Sequence, residues 1–388
     1  MLVSVSFLVF IIWIALFFVW GNFWQIWEFD SDRAQFPAPP QWPRVTAVVP
    51  ARNEAASIEP VISALAAQDY AGEFSVVVVD DHSGDGTTEI AHRAATAARA
   101  GSRIRIICAP ELASGWTGKL WALNSGVKES EPAAPEFYWF TDADVVHAPD
   151  ALLRLVSRAE ADKLDLTSLM VLLRAETFAE RLLIPAFLYF FLVLYPPKWI
   201  TKRNAKTAGA AGGCVLLRRS ALERAGGLAA IRREVIDDCA LARAVKRSGS
   251  TVSMGLTRAS KSLRSYENFS EIRDMIARTA FTQLRYSTIL LAGTFVAMIL
   301  IFALPLTLTF SGNLHVWPFA LAAWCLMTAS FLPTVTFYRL RPIWAPLLPL
   351  AALFYTYATC LSAVRYWLGR GGQWKGRSQA SKISSRAS

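Results

Sequence analysis

Charge is spread so unevenly along this chain that its fold is constrained before any motif is read. Met1 to Trp27 holds no Asp, Glu, Lys or Arg, and neither does Tyr286 to Tyr338 nor Pro342 to Val364. A helix needs about 20 apolar residues to cross the hydrocarbon core of a bilayer. The first and third runs each allow one crossing. The middle run allows two, with Ser311-Gly312-Asn313 as the turn between them. These runs explain why 54% of the residues are hydrophobic and mean hydropathy is +0.32, too apolar for a typical soluble protein. The chain of 388 residues therefore reads as a water-soluble domain flanked by one N-terminal and about three C-terminal membrane helices.

The first run has no positive residue before its apolar core and no small-x-small cleavage site after it. It ends in Trp20, Trp24 and Trp27, which suit an interfacial belt, so a retained anchor is expected rather than a cleaved signal. The net charge of +10 does not point to nucleic acid, because the basic residues are not clustered on one soluble face. Many lie in the tail, at Arg365, Arg370, Lys375, Arg377, Lys382 and Arg386, and Arg365 to Ser388 contains no acid. Such a run beside a membrane helix contacts anionic lipid or fixes topology. Cys108, Cys214, Cys239, Cys325 and Cys360 show no paired spacing, so neither a zinc site nor a disulfide framework is indicated, and a reduced, cytoplasm-facing domain fits.

Between the membrane runs, strand and helix signals alternate. Val45 to Val49, Ser75 to Val79, Arg103 to Cys108 and Phe137 to Phe140 are strand-like. Asn53 to Tyr70, Thr87 to Ala98 and Gly118 to Val127 are helical, with Ile58, Val61, Ile62 and Leu65 on one face. Continuous apolar strands separated by helices imply an α/β fold with a mostly parallel sheet covered on both faces. Ligands of such sheets bind beyond the carboxyl ends of the strands. Pro50, Asp80, Asp81, Asp142 and Asp144 all fall at those ends, so the acids converge on one edge by topology.

Two carboxylates one residue apart, Asp142 and Asp144, can hold a hard divalent cation and leave positions open for a diphosphate. With Asp80-Asp81 upstream and Asp237-Asp238 downstream they form three acidic stations, the order expected of a nucleotide-sugar site. Each motif also has a plainer reading. Asn53 and Glu54 can cap a helix, and Asp81 to Gly86 can be a turn. Lys119, in Gly115-Trp116-Thr117-Gly118-Lys119, can be a surface lysine or can meet phosphate at a helix N-terminus. Gly212-Gly213 can be a simple turn, and Asp237-Asp238 can be acids favoured at a helix start. His147 is either a further metal ligand or a solvent-facing histidine.

Pro50-Ala51-Arg52-Asn53-Glu54, Val79-Asp80-Asp81-His82-Ser83-Gly84-Asp85-Gly86-Thr87, Asp142-Ala143-Asp144 and Asp237-Asp238-Cys239-Ala240-Leu241 together resemble the family 2 glycosyltransferases with a GT-A fold. The resemblance covers roughly residues 44 to 287. The anchor, the C-terminal apolar runs and Trp374-Lys375-Gly376-Arg377 look most similar to the hopene-associated glycosyltransferases of bacterial hopanoid synthesis, and more distantly to ceramide glucosyltransferase. The resemblance implies a nucleotide-sugar donor, expected to be a UDP-sugar, bound by Pro50, Arg52, Glu54, Asp81, Lys119 and Asp142. It implies Mg²⁺ or Mn²⁺ on Asp144 with Asp142. Asp238, beside Asp237, would be the general base, and Gly212, Gly213 and Arg285 would lie in the acceptor and diphosphate region. The acceptor would be a membrane lipid and the location the bacterial inner membrane, with the catalytic domain facing the cytoplasm.

The pattern is broken at Gln283-Leu284-Arg285-Tyr286, where processive synthases and ceramide glucosyltransferase carry Gln/Arg-x-x-Arg-Trp. Thr282 takes the first place and Tyr286 replaces tryptophan. The absence of that motif and the small number of spans weigh against a processive polysaccharide synthase. The acid stations weigh against a catalytically silent membrane scaffold. The expected organisation is an anchor at 1–27, a linker at 28–43, a GT-A domain at 44–270, an amphipathic interfacial helix at 271–287, C-terminal spans at 288–368 and a basic tail at 369–388. Ile272, Ile276, Ala280 and Leu284 form the apolar stripe of that helix. Leu182 to Trp199, interrupted by Pro185, Pro196 and Pro197, is expected to be interfacial, because a single crossing there would put Asp144 and Asp238 on opposite sides of the membrane. Three C-terminal crossings would also put the basic tail outside, against the positive-inside tendency.

Overall fold

In the computed structural model, residues 1–26, 28, 29, 36–369, 373, 374, 377 and 378 are described. Trp27 and most of the basic tail lie outside the described residues, so the belt role of Trp27 and the tail's contacts have no structural counterpart here. The chain divides into two compact units. One consists of residues 27–173, 200–264 and 373–388, the other of 1–26, 174–199 and 265–372.

The first unit is built on an eight-stranded sheet: β1 (Val45–Ala51), β2 (Phe74–Asp80), β3 (Ile104–Cys108), β4 (Phe137–Phe140), β5 (Val145–His147), β6 (Leu166–Leu172), β7 (Val215–Arg218) and β8 (Val252–Ser262). Its order is β3-β2-β1-β4-β7-β6-β8-β5. The four strands β3, β2, β1 and β4 are parallel, whereas β7 runs antiparallel to both β4 and β6. β1 is buried along its whole length because both of its faces are covered. Side chains alternate between faces along a strand. Ala47, Val49 and Ala51 join Ile58, Val61, Ile62 and Leu65 of the helix Ile58–Ala66 in one core. Val48 points the other way, against Gly126 of the helix Gly118–Ser130, where a Cβ would come within 2.4 Å of the valine. That glycine lets the helix approach the sheet. Pro50 does not stop β1, which pairs on through Pro50 and Ala51 with Val79 and Asp80.

β1 crosses to β2 on one side and neighbours β4 on the other. The carboxyl ends of β1 and β4 thus flank the point where the winding reverses, which is where open α/β sheets bind ligands.

The second unit is helical. Three of its helices are long and apolar enough to cross a membrane: Thr288–Thr309, Trp317–Phe337 and Pro342–Trp367. Gly312, with a φ of 72°, sits in the turn between the first two. Their outward surface is apolar, with Ile289 84% exposed and Ile343 71%, as a lipid-facing surface requires. Leu2–Phe18 is a shorter apolar helix. Its Trp13 indole donates to the carbonyl of Ile301, 2.8 Å away, in a π-helical turn at Ile299–Ala303.

Leu182 to Trp199 is less interrupted than expected. A single helix, Phe178–Leu194, runs through Pro185, and a short second one, Pro197–Thr201, follows. Thr177 and Glu180 form a capping box at its start, and Glu180 also accepts from the Tyr266 amide at 2.8 Å. The helix Phe269–Gln283 does not keep its apolar stripe free for an interface. Ile272, Ile276, Ala277 and Phe281 are buried, and Ser362 of the helix Leu348–Trp367 bonds to Ala277 O and receives the Phe281 amide. The stripe follows i, i+4, i+5 and i+9, turning with the helix, so Ala280 and Leu284 are only half-buried.

Candidate active site

The site is assembled from chain segments just beyond the sheet's carboxyl edge. Loop 52–55, after β1, is knitted to loop 81–87, after β2. Arg52 Nη1 stands 3.5 Å from Asp81 Oδ2, and the same guanidinium donates to the Asp81 carbonyl. The Glu54 amide donates to Thr87 Oγ1 at 2.9 Å, the Ala55 amide to Asp85 Oδ2 at 3.0 Å, and the Gly84 amide to Asn53 Oδ1 at 3.0 Å. Asn53 and His82 hold φ of 52° and 56°, a left-handed conformation that asparagine tolerates better than most residues. Asn53 is therefore no helix cap: the helix begins at Ile58 and Asn53 ties two loops together. Asp80 is also spoken for, because its carboxylate accepts from the Ser83 amide at 3.0 Å and from the Ser83 hydroxyl. Asp81 is fully buried beside Arg52.

Beyond β4, Asp142 and Asp144 are both half-buried. The Asp144 carboxyl is pushed up to about 6, first by burial and then by the negative charges of Asp142 and Glu54; Arg264 and Lys119 partly offset this. A cluster of carboxylates strained in this way is relieved by a cation. Among the described residues no group of three or more His, Cys, Asp or Glu side chains is arranged to hold a metal. Two carboxylates with open positions nonetheless suit Mg²⁺, which keeps its waters and takes few protein ligands beside substrate phosphates. The residues thus fit a cation completed by a diphosphate.

His147 fits neither of its expected roles. It is buried, 3% exposed, with Nε2 2.7 Å from Thr141 Oγ1 and Nδ1 2.7 Å from Ser260 Oγ. Burial drives its pKa down to about 3. Both ring nitrogens are engaged, so it is a neutral core histidine that props Thr141, the residue before Asp142. Thr141 also reaches the Gly213 carbonyl at 3.1 Å. Nothing in the sequence marked Thr141 or Ser260 except the position of Thr141 beside an acid.

The third station is the helix Asp237–Arg247. Asp238 opens it with both carboxylate oxygens held: Oδ1 accepts from the Cys239 amide at 2.7 Å and Oδ2 from the Gly212 amide at 2.9 Å. Its pKa is pushed up to about 6 by burial and then by Asp237, against the pull of Lys119 and the two amides. Gly212 gives Lys119 room here: a Cβ would lie 3.2 Å from Lys119 Nζ, closer than it comes to Asp238 Oδ2 at 3.5 Å.

Lys119 joins the stations. Its Nζ stands 2.8 Å from Asp142 Oδ1 and 3.3 Å from Asp237 Oδ2. Burial would lower its pKa, but Asp142 and Asp237 raise it instead, so the lysine is charged. It is not a surface lysine. A cleft is lined by Pro50, Lys119, Asp142, Gly212, Asp237 and Asp238, with Leu228, Ile231 and Leu241 among its apolar walls. The apolar walls carried no signal in the sequence. Gly213 packs on Val171 and Val145 beside this cleft. Arg52, Glu54, Asp81 and Asp144 stand outside its walls, in the adjoining loops. Arg285 belongs to the helical unit, where it and Tyr286 take φ of 53° and 56° after the helix Phe269–Gln283.

Residues 46–226 match the sequence model of the family described as Glycosyl transferase family 2. An N-acetylglucosaminyltransferase of Mesorhizobium japonicum is 26% identical over 189 residues, 48% of this chain and 42% of that relative, so the chain matches less than half of its length. Among solved structures, a mannosyltransferase from Pyrobaculum calidifontis, in complex with GDP-Man and Mn²⁺, covers 95% of this chain and 100% of its own at a TM-score of 0.53 and 19% identity, a likeness of fold. By its motifs, its sheet and this match, the chain carries a family 2 glycosyltransferase domain of the GT-A fold.

Proposed function

We propose that the protein is a membrane-bound inverting glycosyltransferase that moves a sugar from a nucleotide sugar to a lipid hydroxyl, with a hopanoid as the leading acceptor and a UDP-sugar as the leading donor. The observation that carries the reading is the joining of Asp142, Lys119, Asp237 and Asp238 around one cleft. Asp81, Arg52 and Glu54 would receive the nucleoside, and Asp142 and Asp144 would hold Mg²⁺ or Mn²⁺. The bound cation would supply charge neutralisation for the leaving diphosphate.

Asp238 is held by two backbone amides in one orientation, as a general base requires. It takes the proton of the acceptor hydroxyl while that oxygen attacks the anomeric carbon. The bond from that carbon to the diphosphate oxygen breaks, and the electron pair leaves with the diphosphate. Lys119 stands beside Asp142 to meet that charge. One displacement with one base inverts the anomeric centre. The name of the curated relative makes UDP-N-acetylglucosamine the first donor to try.

The test is Asp238→Asn. It keeps the shape of the side chain and removes the base, so nucleotide-sugar binding should persist while turnover falls by about 10²- to 10⁴-fold. NMR of the product should show inversion. Retention at the anomeric carbon, or unchanged turnover in the variant, contradicts the mechanism.

A further inference from the structure

The position of Lys119 has a consequence beyond donor binding. Its ammonium lies between Asp142, one of the two acids proposed for the cation, and Asp237, next to the proposed base. The lysine side chain is 18% exposed and Asp237 19%, so the contacts are only partly screened by water. Gly212 leaves room for it, with the ammonium 3.2 Å from where a Cβ would be. Four carboxylates, Asp142, Asp144, Asp237 and Asp238, converge here, and Lys119 acts electrostatically on all of them.

We propose that Lys119 is a counter-cation shared by the acids of the site and couples cation binding to diphosphate binding. The inference rests on the proposed function and deepens it. Lys119 is paired with Asp142, so a bare divalent cation must compete with an ammonium 2.8 Å from its carboxylate. A nucleoside diphosphate changes the balance, because its phosphate oxygens give Lys119 a new anionic partner and free Asp142. Cation and diphosphate should therefore bind synergistically. Reciprocity requires each to raise the affinity of the other by the same factor. When Lys119 moves to the phosphates it also leaves Asp237, so the acid pair that opens the base helix loses its counter-charge only once the donor is seated.

The test needs no turnover. Free Mn²⁺ is measured by electron paramagnetic resonance while wild-type, Lys119→Met and Lys119→Arg proteins are titrated with Mn²⁺, with and without UDP. Wild type should bind Mn²⁺ more tightly with UDP by a factor within about 5 to 150, the usual range of coupling between sites. Lys119→Met should bind bare Mn²⁺ at least about threefold more tightly than wild type, since a like charge near the site is gone, and should keep only the part of the UDP synergy that comes from the phosphates' own contact with the cation. Lys119→Arg, which keeps the charge, should bind bare Mn²⁺ within about twofold of wild type; it also serves as the folded comparison if the methionine variant is unstable. Bare Mn²⁺ binding that is unchanged or weaker in Lys119→Met, or a full UDP synergy there, overturns the proposal. Asp144→Asn separates the two levels. If it binds Mn²⁺ like wild type, the cation site itself is misassigned; if it loses Mn²⁺ while Lys119→Met shows no gain, only the counter-cation role fails.

Discussion

At the scale of single residues, the environment of Asp238 decides how the protein responds to pH. Its carboxyl is pushed up to about 6 by burial first and by Asp237 second. A carboxyl with a raised pKa is protonated, and useless as a base, below that value. Turnover at saturating substrate should therefore rise with pH through about 6 and level off above it, and Asp238→Asn should abolish that limb. A profile flat from pH 5 to 7 in the wild type would count against Asp238 as the base. Gly212 offers a second probe. Gly212→Ala puts a methyl 3.2 Å from Lys119 Nζ and 3.5 Å from Asp238 Oδ2. Only the lysine must give way, by a few tenths of an ångström, and shifting it from Asp142 and Asp237 should lower turnover by up to about 10-fold with little change in melting temperature. A fully active Gly212→Ala would mean that the close approach has no role in the chemistry.

Much of the site was legible in the sequence at this scale because acids at the ends of apolar strands have few structural reasons to be there. Asp81, Asp142 and Asp144 stand at the edge that the alternation of strands and helices predicts, whereas Asp238, at a helix start, was marked only by the family resemblance. The misreadings share a cause: short-range spacing does not say which partner a polar group finds. Asn53 looks like a cap, yet its amide carbonyl bonds the Gly84 amide 31 residues away. His147 looks solvent-facing, yet Ser260 reaches it across 113 residues of chain.

Elements show the same division. β1 and β2 read directly from their continuous valines, since strands covered on both faces have no polar side to display. The strands β5 to β8 were not legible: β5 and β7 are only three and four residues long, and β6 and β8 are broken by polar Thr167, Ser168, Ser253 and Thr257. In the helical unit the uncharged runs marked the three spans, whereas proline was over-read at Pro185, which the helix Phe178–Leu194 contains without ending. The residue that ends that helix, Tyr195, is joined to the helix Phe269–Gln283 by the Gln283 amide, which donates to the Tyr195 hydroxyl at 2.6 Å. We propose that the two flank the path by which a lipid acceptor enters. Phe187 and Phe191, four residues apart and both half-buried, lie on one helix face. Replacing both with aspartate should reduce glycosylation of membrane lipid by at least about tenfold while nucleotide-sugar binding is retained, because charge on an apolar face repels a lipid that must pass beside it. Normal lipid glycosylation by that variant, measured in nanodiscs, would remove these helices from the acceptor route.

For the whole molecule, one chain combines a family 2 glycosyltransferase domain with three helices able to cross a membrane. On the proposed reading, the three helices hold the domain at the bilayer in which the acceptor hydroxyl also lies. The proposed division into an anchor, a GT-A domain at 44–270 and spans at 288–368 follows from the same logic. The most direct test of lipid-directed, cation-dependent transfer is to incubate purified protein in nanodiscs with a radiolabelled nucleotide sugar and hopanoid-containing lipid extract, then count label in the organic phase. The account predicts label in an extractable lipid, lost with excess EDTA and in Asp144→Ala and Asp238→Asn. Label found only in water-soluble product, or lipid labelling that survives EDTA and both substitutions, would contradict it.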